Sequence, residues 1–267
     1  MPTPKLQKGL GAVADTLDNR DFILESRFRS FLGGPRHIGG VPANVDLRDL
    51  CSPVRDQGPL GSCTGFAMAT GLREFLEIKA GNPSPFDVLS PQFLYYEERE
   101  IEGTINKDSG AMPRDGLKVL RKTGVCLETD DPYNPKRFTQ APSPQAVNGA
   151  AQFTISAYFR ITTLTGLKMA LAGLHGCVLG ITVYESFESN KVANTGNVPM
   201  PQPGEAMLGG HCVFCVGYQD DPSWDGGGYL IVKNSWGTGW GDSGYFYLPY
   251  DYVQPKLMSD IWTALLR

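Results

Sequence analysis

Apolar positions along the chain change period near its middle. In the first half they recur at helical spacing: Met68, Leu72, Phe75 and Leu76 stand at i, i+4, i+7 and i+8, one stripe of a helix. Ser62 offers an N-cap and Gly81 a stop after Ala80, which places Cys63 at the first turn. Ser90-Pro91 opens a second helix carrying Phe93, Leu94 and Tyr96, whose Glu97-Glu98-Arg99-Glu100 end reads as a solvated face. Pro113 to Thr123 makes a third, closed by Gly124. After a boundary at Asp131-Pro132-Tyr133 and Ala141-Pro-Ser-Pro144 the pattern turns to strands. Ile155–Thr162, Cys177–Tyr184, His211–Tyr218, Tyr229–Asn234 and Tyr245–Leu248 are predicted as β, with a helix over Leu164–His175. Helices first and strands later predict an α+β chain of two lobes.

Residues 1–40 stand apart. Leu24, Phe28, Phe31 and Leu32 have helical spacing, but Gly33-Gly34-Pro35 ends the run and Gly39-Gly40 follows. This stretch reads either as an extension packed on the domain or as a short, removable inhibitory segment. The expected division is an arm over 1–40, a mainly helical lobe over 41–150 and a mainly β lobe over 151–267.

Composition narrows the partners. A net charge of −4 argues against nucleic acid or an anionic membrane. No stretch approaches the roughly 18 apolar residues that span a bilayer. The N-terminus shows no apolar signal-peptide core, so the expectation is a cytoplasmic protein, non-classical export aside. Six cysteines, at 51, 63, 126, 177, 212 and 215, form no short-spaced framework. Cys212 and Cys215 lie three apart on a strand, facing opposite sides, which argues against a metal site; neither metal nor organic cofactor is expected.

Chemistry gathers on Cys63. A helix N-terminus favours a thiolate through its unpaired N–H groups and dipole, and a nucleophilic sulfur needs a base plus a group to orient it. Of three histidines, His37 lies in the glycine-rich arm, His175 at a helix end, and His211 begins a strand after Gly209-Gly210. Asn234 ends the neighbouring strand, followed by Ser235-Trp236-Gly237. If these strands pair, the amide reaches the imidazole beneath an indole.

Gln57 with Gly61-Ser62-Cys63, Gly210-His211-Cys212-Val213, Val216-Gly217-Tyr218 and Lys233-Asn234-Ser235-Trp236-Gly237 together resemble papain-family cysteine peptidases, a bacterial branch in particular. His211 follows Cys63 by 148 residues, inside that family's window of ~130–150. The resemblance covers roughly residues 41 to 250. It implies a two-lobed papain-like fold, helical left lobe and antiparallel β right lobe, with the cleft between them. It also implies peptide or protein substrates, Cys63 as nucleophile, His211 as base and acid, and Asn234 orienting His211 under Trp236. Gln57 would donate to an oxyanion hole, Ser109-Gly110 would bind substrate backbone, and Gly210 and Trp236 would also line the substrate site. Ala111, Met112, Gly209 and Met258 fall near the pocket for the second residue before the cut, an apolar pocket in an endopeptidase.

The departures from the family matter. Leu60 and Ser109-Gly110 lack the cysteines of the family's usual disulfide, Thr64 replaces a Trp and Cys212 an Ala, and the arm is too short for the usual helical prodomain. If the arm inhibits, Ile38 would enter the apolar pocket and self-cleavage would fall near Gly39–Gly40. A silent peptide-binding protein on the same fold and a transpeptidase are the competing functions.

Overall fold

The computed structural model describes residues 8–27, 41–81 and 86–266. Phe28, Phe31, Leu32 and the Gly33-Gly34-Pro35 stop, like His37, Ile38 and the Gly39–Gly40 pair, lie outside them. The chain enters the body through a short strand, β1 (Asn44–Asp46), then reaches α1, made of Cys63–Phe66, a π-helical stretch Ala67–Arg73, and Glu74–Lys79. Met68, Leu72, Phe75 and Leu76 are all buried, as the period predicts. Ser62 occupies the N-cap position, but its hydroxyl is hydrogen-bonded to the Tyr133 hydroxyl at 2.7 Å instead of capping the helix.

In α2 (Pro91–Glu102), Ser90 does cap, accepting the Phe93 N–H at 3.0 Å, with proline at the first position. The acidic end of α2 corrects the sequence reading: Glu98 and Arg99 are both 0% exposed. Glu98 accepts the Thr64 hydroxyl at 2.6 Å. Arg99 donates to the carbonyls of Tyr95, Ile105, Lys107 and Phe138, stapling the following loop to the helix. α3 (Pro113–Lys122) and α4 (Pro144–Ala150) complete this side.

The second half supplies β2 (Ala157–Arg160), α5 (Leu164–Ala172), β3 (Cys177–Tyr184), α6 (Asn190–Thr195), β4 (Met207–Asp220), β5 (Gly228–Lys233), β6 (Tyr245–Pro249) and β7 (Met258–Leu265). The strands form one sheet in the order β2-β7-β3-β4-β5-β6, with β1 also on β4, every pairing antiparallel. β1, from the chain's first half, is thus part of the sheet. β7, which the apolar pattern did not announce, joins β2 to β3 and is buried over most of its length.

α1 packs directly on β4. Phe75 meets Phe214 edge-on at 5.4 Å, and a Cβ on Gly71 would stand 2.7 Å from that of Phe214. Only a glycine lets helix and strand approach this closely. The contact sets the start of α1 beside the first half of β4, so Cys63 and His211 end on facing elements.

Candidate active site

His211 and Asn234 come together as the strand pairing predicts. His211 Nε2 and Asn234 Oδ1 are 2.8 Å apart, in the interior. Trp236 stacks on the imidazole at 4.7 Å and 23°, and is itself walled by Phe187 and Trp240. Gln57 is anchored on the same loop: its N–H donates to the Ser235 carbonyl and its Oε1 accepts the Ser235 hydroxyl. The Cys63 sulfur lies within reach of the backbone N–H groups of Cys212, Gly11 and Thr64. Cys212 directly follows His211, whose Nδ1 is buried without a hydrogen-bond partner among the described residues, so thiol and imidazole share the site but are not hydrogen-bonded in this closed state.

Gly11 belongs to the arm, and the arm fills the cleft. Gln57 Nε2 donates to the Gly9 carbonyl at 3.1 Å and to Leu60 O at 2.8 Å. Ala111 N–H donates to Gly11 O at 2.8 Å, Val13 N–H to Ala111 O at 3.0 Å, and Ala12 N–H to Gly210 O at 3.0 Å. Ala12 and Ala111 form a parallel bridge. Leu10 lies 3.3 Å from where a Gly209 Cβ would be. A Cβ on Gly110 would fall 1.8 Å from Gly11 O, and one on Gly210 would fall 2.0 Å from Ala12 O. Both glycines admit a passing backbone. Lys8 fastens the entry, its Nζ reaching Asp56 at 3.1 Å and Trp236 O at 3.1 Å.

Of the other candidates, Ser109 is exposed and turns its hydroxyl to the Gly110 carbonyl. Met112 is half-buried, its N–H donating to Glu102 at 2.7 Å. Met258 is buried on β7, opposite Ile181.

Under the arm the electrostatics run against the thiolate expected from the helix N-terminus. Burial pushes the Cys63 thiol up to about 11, although the N–H groups of Cys212 and Gly11 pull it down. Burial drives His211 down to about 4, opposed by the Asn234 hydrogen bond. In this closed state both partners are neutral at pH 7. Glu98, raised well above the carboxylate range by burial, is the nearest acid behind the first turn of α1.

Sequence reasoning missed the Lys8–Val13 stretch. Its signal was Gly9-Leu10-Gly11-Ala12, a lone apolar side chain between residues without a side chain or nearly so. It also missed Tyr133, whose hydroxyl donates to Gln57 O at 2.7 Å, and Asp108, which accepts the Gly61 N–H at 3.1 Å. Both brace the turn that carries the sulfur.

Residues 41–261 match the papain family cysteine protease profile. The chain is 36% identical to a peptidase C1-like protein of Acanthamoeba polyphaga mimivirus, across 98% of this chain and 88% of that one. It is 30% identical to cysteine proteinase 3 of Entamoeba histolytica across 80% of this chain and 65% of that one. Among solved structures, xylellain, a cysteine protease from Xylella fastidiosa, superposes with a TM-score of 0.83 at 34% identity, covering 100% of this chain and 99% of that one. With the profile spanning most of the chain and the fold shared end to end, this protein belongs to the papain family of cysteine proteases, which hydrolyse peptide bonds.

Proposed function

We propose that the protein is a cysteine endopeptidase acting through Cys63, His211 and Asn234, and that residues 8–27 of its arm hold it shut. In the open enzyme the Cys63 thiolate, paired with protonated His211, attacks a peptide carbonyl. His211 then gives its proton to the leaving amine, and water hydrolyses the thioester. Gln57 and the Cys63 N–H stabilise the oxyanion, a donor of this kind being worth about 2.7–4 kcal/mol. Asn234 keeps the imidazole turned toward the sulfur, and Trp236 keeps water off that contact.

The observation that carries this reading is the Gly9 carbonyl on the Gln57 amide, a peptide carbonyl where the reaction needs one. The arm also explains why it survives there. If Gly110 and Gly210 receive the residues preceding a cut, as the resemblance implies, a substrate runs past them toward Gln57. In the arm, the residues following Gly9 lie along Gly110 and Gly210, so its backbone runs in the reverse sense. Leu10 beside Gly209 supports an apolar preference at the second residue before the cut.

The test is adduct formation with an epoxide inhibitor and turnover of a fluorogenic peptide with an apolar penultimate residue. The proteins are the wild-type chain, Gly11→Ala and Cys63→Ala. Turnover and a stoichiometric adduct that rise in Gly11→Ala and vanish in Cys63→Ala are expected. A folded Gly11→Ala with neither would leave a silent peptide-binding protein.

A further inference from the structure

Beyond the cleft, the arm crosses the ends of α3, β2 and β7, where five ionisable side chains converge. Asp15 and Asp21 come from the arm, Arg114 from α3, Arg160 from β2 and Asp260 from β7. Their side chains are enclosed: Asp15 and Asp260 are 0% exposed, and Arg160 is 11%. Arg114 is committed to Asp21 through two contacts, Nε–Oδ1 at 3.1 Å and Nη2–Oδ2 at 2.7 Å. Arg160 is committed to Asp260 at 2.9 Å, while its Nη1 stands 3.7 Å from both Asp15 and Asp21.

Asp15 is held instead by uncharged donors, the Arg114 backbone N–H at 3.0 Å and Trp262 Nε1 at 2.8 Å. Its own N–H donates to Asp260 Oδ2 at 3.2 Å, and the two carboxyl groups are close enough for Asp260 to act on the Asp15 side chain. Three acids meet two guanidinium groups, one acid in surplus where water is excluded. A buried carboxylate without a cation of its own is neutralised most readily by a proton.

We propose that Asp15 and Asp260 form a proton-held latch on the inhibitory arm, fastened in acid and loosened as the medium turns alkaline. The proposal rests on the autoinhibitory reading above. Burial, then the charge of Asp260, raises Asp15 from 3.8 to about 7, against the lowering by the Arg114 N–H. A carboxyl raised on docking contributes fully below its free value, and the contribution is lost as pH rises to the docked value. Between pH 5 and pH 8 the docking constant therefore falls on the order of a hundredfold.

Other groups around the latch do not share that window. Asp18 is held low by Arg20, and Tyr158 is pushed up by burial. Lys118 is bound to Asp115, and Arg121 lines the same depression. The Cys63–His211 pair does not oppose the latch. Opening moves one proton from sulfur to imidazole and releases none, so it adds no pH dependence between those limits.

The experiment is amide hydrogen exchange on the full chain at pH 5 and pH 8, corrected for intrinsic rates and read at Gly9, Ala12 and Val13. Wild-type protection should fall on the order of a hundredfold. Asp15→Asn, which keeps the acceptor for the Arg114 N–H but sets an NH2 against Trp262 Nε1, should be less protected than wild type at pH 5 and change little between the two. Asp260→Asn, which removes one acid and leaves the arm's own sequence unchanged while altering the acceptor of the Asp15 N–H, should flatten the fall as well. Wild-type protection unchanged with pH, or a wild-type fall retained in both variants, would overturn the latch. Turnover measured alongside separates the two ideas. A protected, pH-sensitive arm whose loosening leaves turnover unchanged sinks the inhibitory reading and leaves the latch standing.

Discussion

Gly11→Ala is a one-carbon probe of the arm. An ideal Cβ there would lie 1.9 Å from the Gly61 carbonyl oxygen, 2.5 Å from its carbon and 2.7 Å from its Cα. These are backbone atoms of the turn that feeds Cys63, and Asp108 pins that turn through the Gly61 N–H, so the arm must move. Gly11 is not in the left-handed region, and collision alone is the objection. Lifting it breaks the Gly11–Ala111 bond and the flanking bonds of Ala12 and Val13. At about 0.5–1.5 kcal/mol net for each bond, the loss is about 1.5–4.5 kcal/mol. Against it, alanine restrains the released chain and favours docking by about 0.4–1 kcal/mol. The balance is about 2 kcal/mol, or roughly a thirtyfold rise in the open fraction. The assay is the rate of epoxide addition to Cys63 by intact mass, with peptide turnover beside it, and both should rise roughly thirtyfold. A melting temperature held near wild type would show that the body is intact. Unchanged or slower labelling, with the body folded, would refute the reasoning.

Four further outcomes follow from the same geometry. In the Gly11→Ala background, Gln57→Ala should lower kcat on the order of 10²–10³-fold, with substrate KM far less affected. Asn234→Ala frees the imidazole and removes a hydrogen bond worth about 1.5–3 kcal/mol when the ring is charged, so kcat/KM should fall roughly ten- to a hundredfold. The buried Ser235 N–H loses its acceptor too, so the melting temperature should fall as well. Arg99→Met strips the four carbonyls it holds of a charged donor and should cost about 3 kcal/mol or more. Calorimetry should read that as a drop of about 2–4 °C per kcal/mol. Glu98 is raised in the folded state by burial. Its contribution is therefore full below the unfolded carboxyl range and lost as pH rises toward the folded value. Glu98→Gln mimics the neutral acid, and its melting temperature should fall less than wild type's between pH 5 and pH 8.

Where sequence reading succeeded, the local pattern and the tertiary demand coincided. The stripe from Met68 to Leu76 is apolar because that face packs on β4, and Phe75 against Phe214 is the contact the period anticipates. His211 and Asn234 were legible because β4 and β5 pair, with Phe214 opposite Lys233, although His211 stands inside β4 and not at its start, since Met207 to Gly210 extend the strand along β3. Glu98 and Arg99 were misread since a charge run on a helix carries no mark of what it faces; Thr64 and the Phe138 loop decide that. β7 was overlooked because a strand buried on both faces shows no alternation. The course of the arm over the cleft was illegible for a different reason: Gly9 to Val13 dock through backbone hydrogen bonds and the Leu10 side chain, and neither leaves a periodic trace. Ile38 lies outside the described residues; within them, close passage over Cys63 selects residues lacking a side chain.

The neutral Cys63–His211 pair ties these findings to one physical cause. Taking water away disfavours charge on both partners, so the thiol climbs while the imidazole drops. Under the arm the thiol rises to about 11 and the imidazole falls to about 4, so proton transfer from sulfur to nitrogen is harder there than between solvated groups. The N–H groups of Thr64, Cys212 and Gly11 aim at the sulfur, yet burial outweighs them while the arm stays. A nucleophile at a helix start is thus a property of the open cleft, where solvent or substrate dipoles can support the ion pair. Closing the arm both occupies the site and removes the charge that makes it reactive. For that reason, displacing a single glycine contact should recover chemistry as well as access.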